Sequence, residues 1–284
     1  MVMHFPSVEE RRVPGAGGVN IFVREGGNAG GPPILFVHGF LFSSDVFARQ
    51  FEGPLAEHFR LVAIDVRGHG RSDKPTEESA YTDPEILAED VASVVTALGL
   101  DRPVVVGWSM GSRVALNYGW YHGFDRIAAL NLVSASVLWA PTGEETPPTL
   151  RDLQSDDEAK RDRATREFIV MCSAGGSVDP ELLAAFTETA MTVPVGARRG
   201  IRKWPFPYAD ALPDLETPLL VTHGGSDPLL PESISSELAS LTRAGRLSVI
   251  GGGHLPFLQD VTTFDRDLAA FAWSVFGVAY GNDG

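Results

Sequence analysis

Short apolar runs rich in β-branched residues recur along this chain, and segments with helical periodicity separate most of them. Most of these runs are too uniformly apolar to keep one face in water, so they predict strands of a sheet that is covered on both sides. The alternation of strand and helix predicts an α/β fold with a mostly parallel sheet. The seven predicted strands are residues 19–23, 34–38, 61–65, 104–108, 127–133, 218–223 and 247–250.

The clearest helix signal lies between the third and fourth predicted strands. Asp83 and Pro84 form an N-cap and first-turn pair, apolar side chains follow at helical spacing, and Gly99 closes the segment. We therefore predict a helix that begins at Pro84 and ends before Gly99. Similar patterns predict further helices at residues 110–121, 231–241 and 262–276.

The alternation stops between residues 140 and 213, where acidic and basic residues crowd together and no convincing strand is present. Ser155 and Glu158 have the spacing of a capping box, which predicts the start of one helix. Asp179 followed by Pro180 predicts the start of another. We interpret this segment as a helical insertion.

The insertion divides the chain into three parts. Residues 1–139 and 214–284 are predicted to form the core domain, and residues 140–213 are predicted to form a helical cap. The charged run at residues 151–167 is expected to be the solvated face of this cap.

Composition narrows the function classes. The chain has 284 residues, which is enough for one larger α/β domain with a sizeable core. Its net charge of −14 disfavours nucleic acids and anionic membranes, so we expect a small neutral or cationic partner. Cys172 is the only cysteine, which excludes an internal disulfide. Without a long apolar run or a segment resembling a signal peptide, the sequence predicts a cytoplasmic protein with no membrane insertion.

Several kinds of chemistry lack their sequence motifs. The chain has no H-E-x-x-H, no C-x-x-C and no phosphate-binding G-x-x-x-x-G-K-[ST] segment. The glycine-rich segment at residues 15–18 precedes a strand instead of following one, which argues against a dinucleotide site. We therefore predict neither a metal nor an organic cofactor.

The segment Gly107-Trp108-Ser109-Met110-Gly111 lies between a buried strand and a predicted helix. This is the G-x-S-x-G pattern in a strand–turn–helix context. Two glycines let a tight turn pass close to its neighbours without Cβ clashes, so the serine hydroxyl is exposed on a strained bend. The pattern and its context predict that Ser109 is a nucleophile.

A serine hydroxyl needs a base that takes its proton, and the base needs an acid that orients it. His254 follows the last predicted strand in a glycine-rich loop, and Asp227 follows the preceding strand. Both loops are expected at the carboxyl-terminal edge of the sheet. We predict a catalytic triad of Ser109, Asp227 and His254, with Asp260 as a rival for the acid.

The chain order of these three residues resembles that of the α/β-hydrolase family. Two further segments are similar to that family: His38-Gly39-Phe40 after an early strand, and residues 65–72, DVRGHGRS, after the next. The resemblance covers nearly the whole chain. It implies a mostly parallel eight-stranded sheet flanked by helices, with the cap inserted after the sixth strand. It also implies an oxyanion hole formed by the backbone N–H groups of Phe40 and Met110.

Around Ser109 the chain is similar to the small esterases and the cofactor-free haloperoxidase-like members of that family. We therefore expect a serine hydrolase that cleaves a small, largely apolar carboxylic ester or lactone through an acyl-enzyme on Ser109. Perhydrolysis as a side reaction and the oligomeric state are left open by the sequence. The candidate substrate-binding residues are Trp108, Arg113, Trp139, Phe168 and Trp204.

Two other functions are consistent with the same residues. Arg113 follows Ser109 by four positions, as in the menaquinone-pathway lyase of the family, where an arginine meets the substrate's carboxylate. This resemblance favours a carbon–carbon bond hydrolase or lyase acting on an acidic substrate, unless Arg113 only pairs with a nearby carboxylate of the protein. The other alternative is a ligand-binding module with little turnover. Labelling by a fluorophosphonate separates that module from an enzyme, because a serine that is not activated stays unmodified.

Overall fold

The computed structural model describes residues 8–135, 137–138, 146–204 and 212–277. The strands of this part of the chain are β1 (Glu9–Pro14), β2 (Asn20–Gly27), β3 (Pro33–Val37), β4 (Arg60–Asp65), β5 (Val104–Trp108), β6 (Ala129–Val133), β7 (Leu219–Gly224) and β8 (Gly245–Ile250). They form one eight-stranded sheet in the order β1-β2-β4-β3-β5-β6-β7-β8. The pairs β1–β2 and β2–β4 are antiparallel, and the remaining pairs are parallel.

Strands β2 to β8 correspond to the seven runs predicted from the sequence, and the mostly parallel sheet is confirmed. The apolar runs did not indicate β1, whose sequence is EERRVP and in which only Val13 is buried. Arg11 of this strand lies 2.8 Å from the Glu25 carboxylate on β2. A charged edge strand protects the sheet from pairing with other chains, and it gives almost no apolar signal because Val13 is its only residue in the core.

The helices of the described residues are α1 (Ala48–Glu52), α2 (Leu55–His58), α3 (Pro84–Leu98), α4 (Met110–His122), α5 (Pro148–Asp152), α6 (Glu158–Ser173), α7 (Pro180–Met191), α8 (Val195–Arg202), α9 (Glu232–Ser240), α10 (Pro256–Gln259) and α11 (Val261–Phe276). Helix α3 confirms the clearest prediction. The Asp83 side chain accepts the Glu85 N–H, and Gly99 ends the helix in the left-handed region at φ +58°.

Helices α5 to α8 lie between β6 and β7, so the insertion follows the sixth strand of the sheet. The predicted capping box at Ser155 is wrong. The N-cap of α6 is Asp157, whose carboxylate accepts the Lys160 N–H at 3.2 Å, and the Ser155 hydroxyl accepts the Asp157 N–H instead. An aspartate directly before the first helical residue is as good an N-cap as serine, and it is closer to the helix. The junction near residue 139 lies outside the described residues, so the boundaries at 139 and 213 stay a prediction.

A buried arginine joins the inserted helices. Arg198 of α8 donates to the carbonyls of Val193, Ala190 and Leu153 and to the Thr165 hydroxyl. Its side chain is buried, and this burial lowers the pKa of Arg198 to about 10. Since every acceptor comes from another part of the insertion, this one side chain fixes how α5, α6 and α7 sit against α8.

The parallel arrangement of β3, β5, β6, β7 and β8 brings their carboxyl ends to one edge of the sheet. These strands are buried along nearly their whole length, except for β8 at the end of the sheet. Loops that leave such an edge meet in a crevice outside the sheet. The residues on these loops that bear on function are Phe40 after β3, Ser109 after β5, Asp227 after β7 and His254 after β8.

Candidate active site

Ser109 lies on the turn between β5 and α4 with a backbone φ of +52° and ψ of −115°. A residue other than glycine is strained at a positive φ, and its surroundings must hold it there. The Ser109 N–H donates to the Val133 carbonyl at 2.9 Å. A Cβ at Gly111 would lie 2.2 Å from the Val37 carbonyl oxygen, and one at Gly107 would lie 2.5 Å from the Gly111 carbonyl oxygen. Both glycines of the motif are therefore required for the close passage of this turn.

The hydroxyl of Ser109 is in hydrogen-bond contact with an imidazole. Ser109 Oγ lies 3.1 Å from His254 Nε2, and His254 Nδ1 lies 2.8 Å from Asp227 Oδ2. An ionised carboxylate only accepts hydrogen bonds, so Nδ1 is assigned as protonated and Nε2 as the acceptor of the serine proton. The structure thus brings together the three residues that the sequence predicts as a triad.

The environment of Asp227 keeps this carboxylate charged. Its side chain is fully buried, and Oδ1 accepts the N–H groups of Leu229 at 2.8 Å and Leu230 at 3.1 Å. Burial by itself raises the pKa of Asp227, but the hydrogen bonds from His254 and from these two N–H groups outweigh it and hold the pKa below its ordinary value. The carboxylate therefore favours the imidazolium that forms when His254 takes a proton.

Asp260, the rival acid, has another place in the structure. Its carboxylate accepts the Gly251 N–H at 3.0 Å and the Thr263 N–H at 3.4 Å. The second of these bonds makes it the N-cap of α11. Asp227 is thus the carboxylate that touches His254.

The two N–H groups predicted for the oxyanion hole flank Ser109. Met110 is the first residue of α4, where a helical N–H has no acceptor within its own helix. Neither this N–H nor that of Phe40 donates to another group in the part of the chain that the structure describes. His38 holds the Phe40 loop: its Nδ1 donates to the Gly39 carbonyl at 2.8 Å, and its Nε2 accepts the Val66 N–H at 3.0 Å.

Trp108 faces the protein interior. Only 1% of it is exposed, and its indole packs edge-on against Phe42 and Phe257 with ring centroids 4.8 and 5.3 Å apart. The indole N–H donates to the His254 carbonyl at 2.7 Å. This candidate substrate-binding residue therefore supports the main chain of His254.

Arg113 and Trp204 lie against each other. The Arg113 guanidinium sits over the Trp204 ring at 4.8 Å and donates to the Trp204 carbonyl at 3.2 Å. The Trp204 indole N–H donates to the Tyr81 carbonyl at 2.7 Å. Both side chains are buried, so this pair ties the end of the insertion to the core domain. The contacts with the Trp204 ring and carbonyl show that Arg113 serves the packing of this chain, which weakens the support for a substrate carboxylate at Arg113.

Phe168 of α6 is the candidate that lies next to the proposed oxyanion loop. Its ring meets that of Phe40 edge-on at 6.2 Å, and Phe40 is only partly buried. Apolar rings in this position are suited to a largely apolar acyl or alcohol group. Trp139, the remaining candidate, lies outside the described residues.

Gln259 was not singled out by the sequence. Its side-chain oxygen accepts the Gly253 N–H at 2.6 Å, directly before His254. A glutamine five residues after a histidine belongs to none of the motifs considered above. Its position in the short helix after the glycine-rich loop is the only local signal for a contact with that loop.

The described residues carry neither a metal-binding cluster nor a membrane-spanning helix. These residues include no group of three or more His, Cys, Asp or Glu side chains placed to hold a metal ion. None of the helices in the described ranges combines the length and apolar character that a bilayer span needs.

A turn-borne serine, an imidazole and a buried carboxylate at the carboxyl edge of a mostly parallel sheet define a hydrolase-type fold and site. Comparison with known proteins agrees: a model described as the alpha/beta hydrolase family matches residues 34–266. The chain belongs to the α/β-hydrolase family, and the resemblance inferred from its motifs is confirmed.

The relatives include esterases and non-heme haloperoxidases. The chain is 32% identical over 268 residues to the bifunctional esterase/perhydrolase DCH of Acinetobacter calcoaceticus, and the match covers 89% of this chain and 96% of that protein. It is 29% identical over 273 residues to the non-heme haloperoxidase of Rhodococcus erythropolis, and the match covers 91% of this chain and 98% of that protein. The crystal structure of the esterase RhEst1 from Rhodococcus sp. ECU1013 superposes with a TM-score of 0.84 at 28% identity, and the match covers 94% of this chain and 99% of that one. These similarities support a hydrolase function of the esterase type.

Proposed function

We propose that this chain is a serine hydrolase that cleaves a small, largely apolar carboxylic ester or lactone through an acyl-enzyme on Ser109. The observation that supports this most directly is the unbroken contact from the Ser109 hydroxyl to His254 and from His254 to the buried Asp227 carboxylate. A serine that only serves a turn needs neither a base nor a buried acid behind that base, whereas a nucleophilic serine needs both.

The reaction follows from the hydrogen bonds. Ser109 Oγ attacks the ester carbonyl while its proton passes to His254 Nε2, and Asp227 stabilises the resulting imidazolium. The same imidazolium then gives the proton to the leaving alcohol, whose C–O bond breaks. Water attacks the acyl-serine with His254 again as the base, which releases the acid and restores Ser109.

The oxyanion that forms at each addition step needs donors in place beforehand. We assign these to the backbone N–H groups of Phe40 and Met110, which donate to no other described residue. Such fixed donors stabilise the transition state by about 10² to 10³ in rate each. The His38 contacts with Gly39 and Val66 would keep the Phe40 N–H in position without contact with the substrate.

The preference for apolar substrates is supported by the aromatic rings at the Phe40 loop. Phe40 and Phe168 present aromatic surface next to the proposed oxyanion loop, and Phe186 of α7 packs on Phe42 with ring centroids 5.4 Å apart. We propose that α6 and α7 act as the cap that covers the bound ester. The esterase names of the relatives are consistent with this substrate class.

Replacement of Ser109 tests the proposal. The Ser109→Ala variant is expected to lose turnover of p-nitrophenyl acetate by about 10⁴-fold or more, because the acyl-enzyme cannot form. A fluorophosphonate probe should label the parent protein on Ser109 and leave the variant unlabelled. Equal turnover in the two proteins would refute the serine mechanism. A parent protein that folds but is not labelled would favour the ligand-binding alternative.

A second activity is suggested by the bifunctional esterase/perhydrolase relative. Hydrogen peroxide could attack the acyl-serine in place of water, with its proton passing to His254 Nε2. The acyl group would leave as a peracid that keeps the O–O bond, and the Ser109 hydroxyl would be restored. Peracid formation is measured by the oxidation of iodide in the presence of an ester and peroxide. The Ser109→Ala variant is the control, and equal oxidation by both proteins would exclude this route.

A further inference from the structure

The side chain of Gln259 joins the loop before His254 to the end of helix α6. Its Oε1 accepts the Gly253 N–H at 2.6 Å, and its Nε2 donates to the Ser173 carbonyl at 2.9 Å. Both halves of the amide are therefore used. Ser173 is the last residue of α6, so a helix of the insertion and the loop of the proposed base are held by the same planar group.

The two parts that Gln259 joins are also in backbone contact. A Cβ at Gly253 would lie 2.0 Å from the Ala174 carbonyl oxygen, so a side chain at this position would separate the loop from the end of α6. The segment after α6 reaches the acid loop as well, because a Cβ at Gly175 would lie 2.4 Å from the Ser226 carbonyl oxygen. The end of α6 thus lies directly against both loops that precede Asp227 and His254.

The main chain of His254 is held on both of its sides. The Trp108 indole N–H donates to the His254 carbonyl at 2.7 Å, and Gln259 accepts the N–H of the preceding residue, Gly253. An imidazole can rotate only about its own side-chain bonds, so the distance from Nε2 to Ser109 depends on where this main chain lies. Loosening either bond would allow the ring to move away from the hydroxyl.

Helix α6 also reaches the proposed oxyanion loop. Phe168, five residues before Ser173, packs edge-on against Phe40. A single helix of the insertion therefore contacts the loop of Phe40 at one point and, through Gln259, the loop of His254 at another. A shift of α6 would be transmitted to both.

We propose that Gln259 is a positioning residue that fixes the loop of His254 against the end of α6 and so keeps the imidazole within reach of Ser109. The inference rests on the proposed serine-hydrolase function. Gln259 touches neither Ser109 nor a substrate in this account. It acts through the Gly253 main chain, and it makes the geometry of the triad depend on the position of the insertion.

Three variants test this role. Gln259→Leu removes both hydrogen bonds at similar volume. Gln259→Glu keeps an acceptor for the Gly253 N–H and loses the donor to the Ser173 carbonyl. The matched control is Gln154→Leu, which removes an amide of the insertion that donates to the Leu150 carbonyl and contacts neither catalytic loop.

The kinetic expectation separates positioning from folding. Since a misplacement of about 1 Å can cost about 10²-fold in rate, Gln259→Leu should lower kcat for p-nitrophenyl acetate by about tenfold or more with a smaller change in KM. Gln259→Glu should lower kcat by less than Gln259→Leu, because the Gly253 bond is kept while the bond to the Ser173 carbonyl is lost. Gln154→Leu should retain the kcat of the parent. A Gln259→Leu protein with kcat within about twofold of the parent would overturn the proposal.

Amide hydrogen exchange at Gly253 provides a measurement that does not depend on catalysis. Loss of its acceptor should make exchange at this amide faster in Gln259→Leu by about tenfold or more, while Gln259→Glu shows a smaller increase and Gln154→Leu stays close to the parent. Unchanged exchange in Gln259→Leu would overturn the proposal even if kcat fell. Failure of the proposed function would be seen elsewhere, as equal turnover by the parent and Ser109→Ala.

Discussion

Asp265 is a buried carboxyl group that forms no ion pair with a cation among the described residues. It is 5% exposed on α11, and its Oδ1 accepts the Gln50 amide at 3.0 Å. Its Oδ2 has no hydrogen-bond partner among the described residues. Burial raises the pKa of Asp265 to about 7, and the hydrogen bond from Gln50 offsets only part of the effect.

The stability of the fold depends on pH, because the pKa of Asp265 differs between the folded and the unfolded chain. The folded pKa of about 7 lies above the ordinary value of 3.8, so the unfolded chain releases this proton first as the pH rises. Asp265 therefore destabilises the fold progressively between about pH 4 and pH 7, by about 1.4 kcal/mol per pH unit. Above about pH 7 both states are ionised and the cost is constant at about 4 kcal/mol, which corresponds to the shift of about 3 pH units.

The Asp265→Asn variant removes this ionisation and keeps an acceptor for Gln50. The free energy of unfolding of the variant, relative to the parent, should therefore rise by about 2.5 kcal/mol between about pH 5 and pH 8. Urea unfolding followed by tryptophan fluorescence at the two pH values measures it. The comparison between pH values cancels any constant cost of the new amide. The exposed Asp101→Asn is the control and should show the same small difference at both pH values. A change below about 0.5 kcal/mol for Asp265→Asn would refute the reasoning.

Three further predictions concern the insertion and the turn of Ser109. Arg198→Met should lower the free energy of unfolding, measured in urea, by about 3 kcal/mol or more, since four buried acceptors lose their donor. The exposed Arg151→Met is the control, and a loss in Arg198→Met no larger than in this control would contradict the prediction. Trp108→Phe keeps the ring packing and removes the donor to the His254 carbonyl, so kcat should fall by about tenfold, and an unchanged kcat would argue against this support. Gly111→Ala should abolish activity or folding, because its Cβ meets the Val37 backbone at the end of the neighbouring strand β3, whereas the exposed Gly30→Ala should be tolerated in both activity and thermal unfolding.

The sequence predicted the elements whose signals are local. Helix α3 was located because its cap residues and its apolar spacing lie within one segment. Strand β1 was missed because its charged residues are at the edge of the sheet, where no burial pattern is imposed. The start of α6 was misplaced because serine and aspartate are both good N-caps, and the sequence does not say which of two nearby residues has the required backbone.

The large side chains around the site show a different limit. Trp108, Arg113 and Trp204 are candidates for contact with the substrate in the sequence, and in the structure each donates a hydrogen bond to a backbone carbonyl of a distant segment. No sequence motif identifies Gln259, although its amide holds the loop of His254. The partners of these side chains lie far away in the chain, so no spacing rule identifies them.

The sequence alone predicts that the chain forms a mostly parallel sheet and that Ser109, Asp227 and His254 form one candidate triad. Periodic burial and glycine-flanked turns depend on residues that are neighbours in the sequence, so they can be recognised without knowledge of tertiary contacts. Which atoms meet follows only from the packed fold: Asp227 and not Asp260 lies at the imidazole, and the Trp204 indole lies against Arg113. A hydrogen bond depends on distances of a few tenths of an ångström between segments, and those distances exist only after the sheet and the insertion have packed.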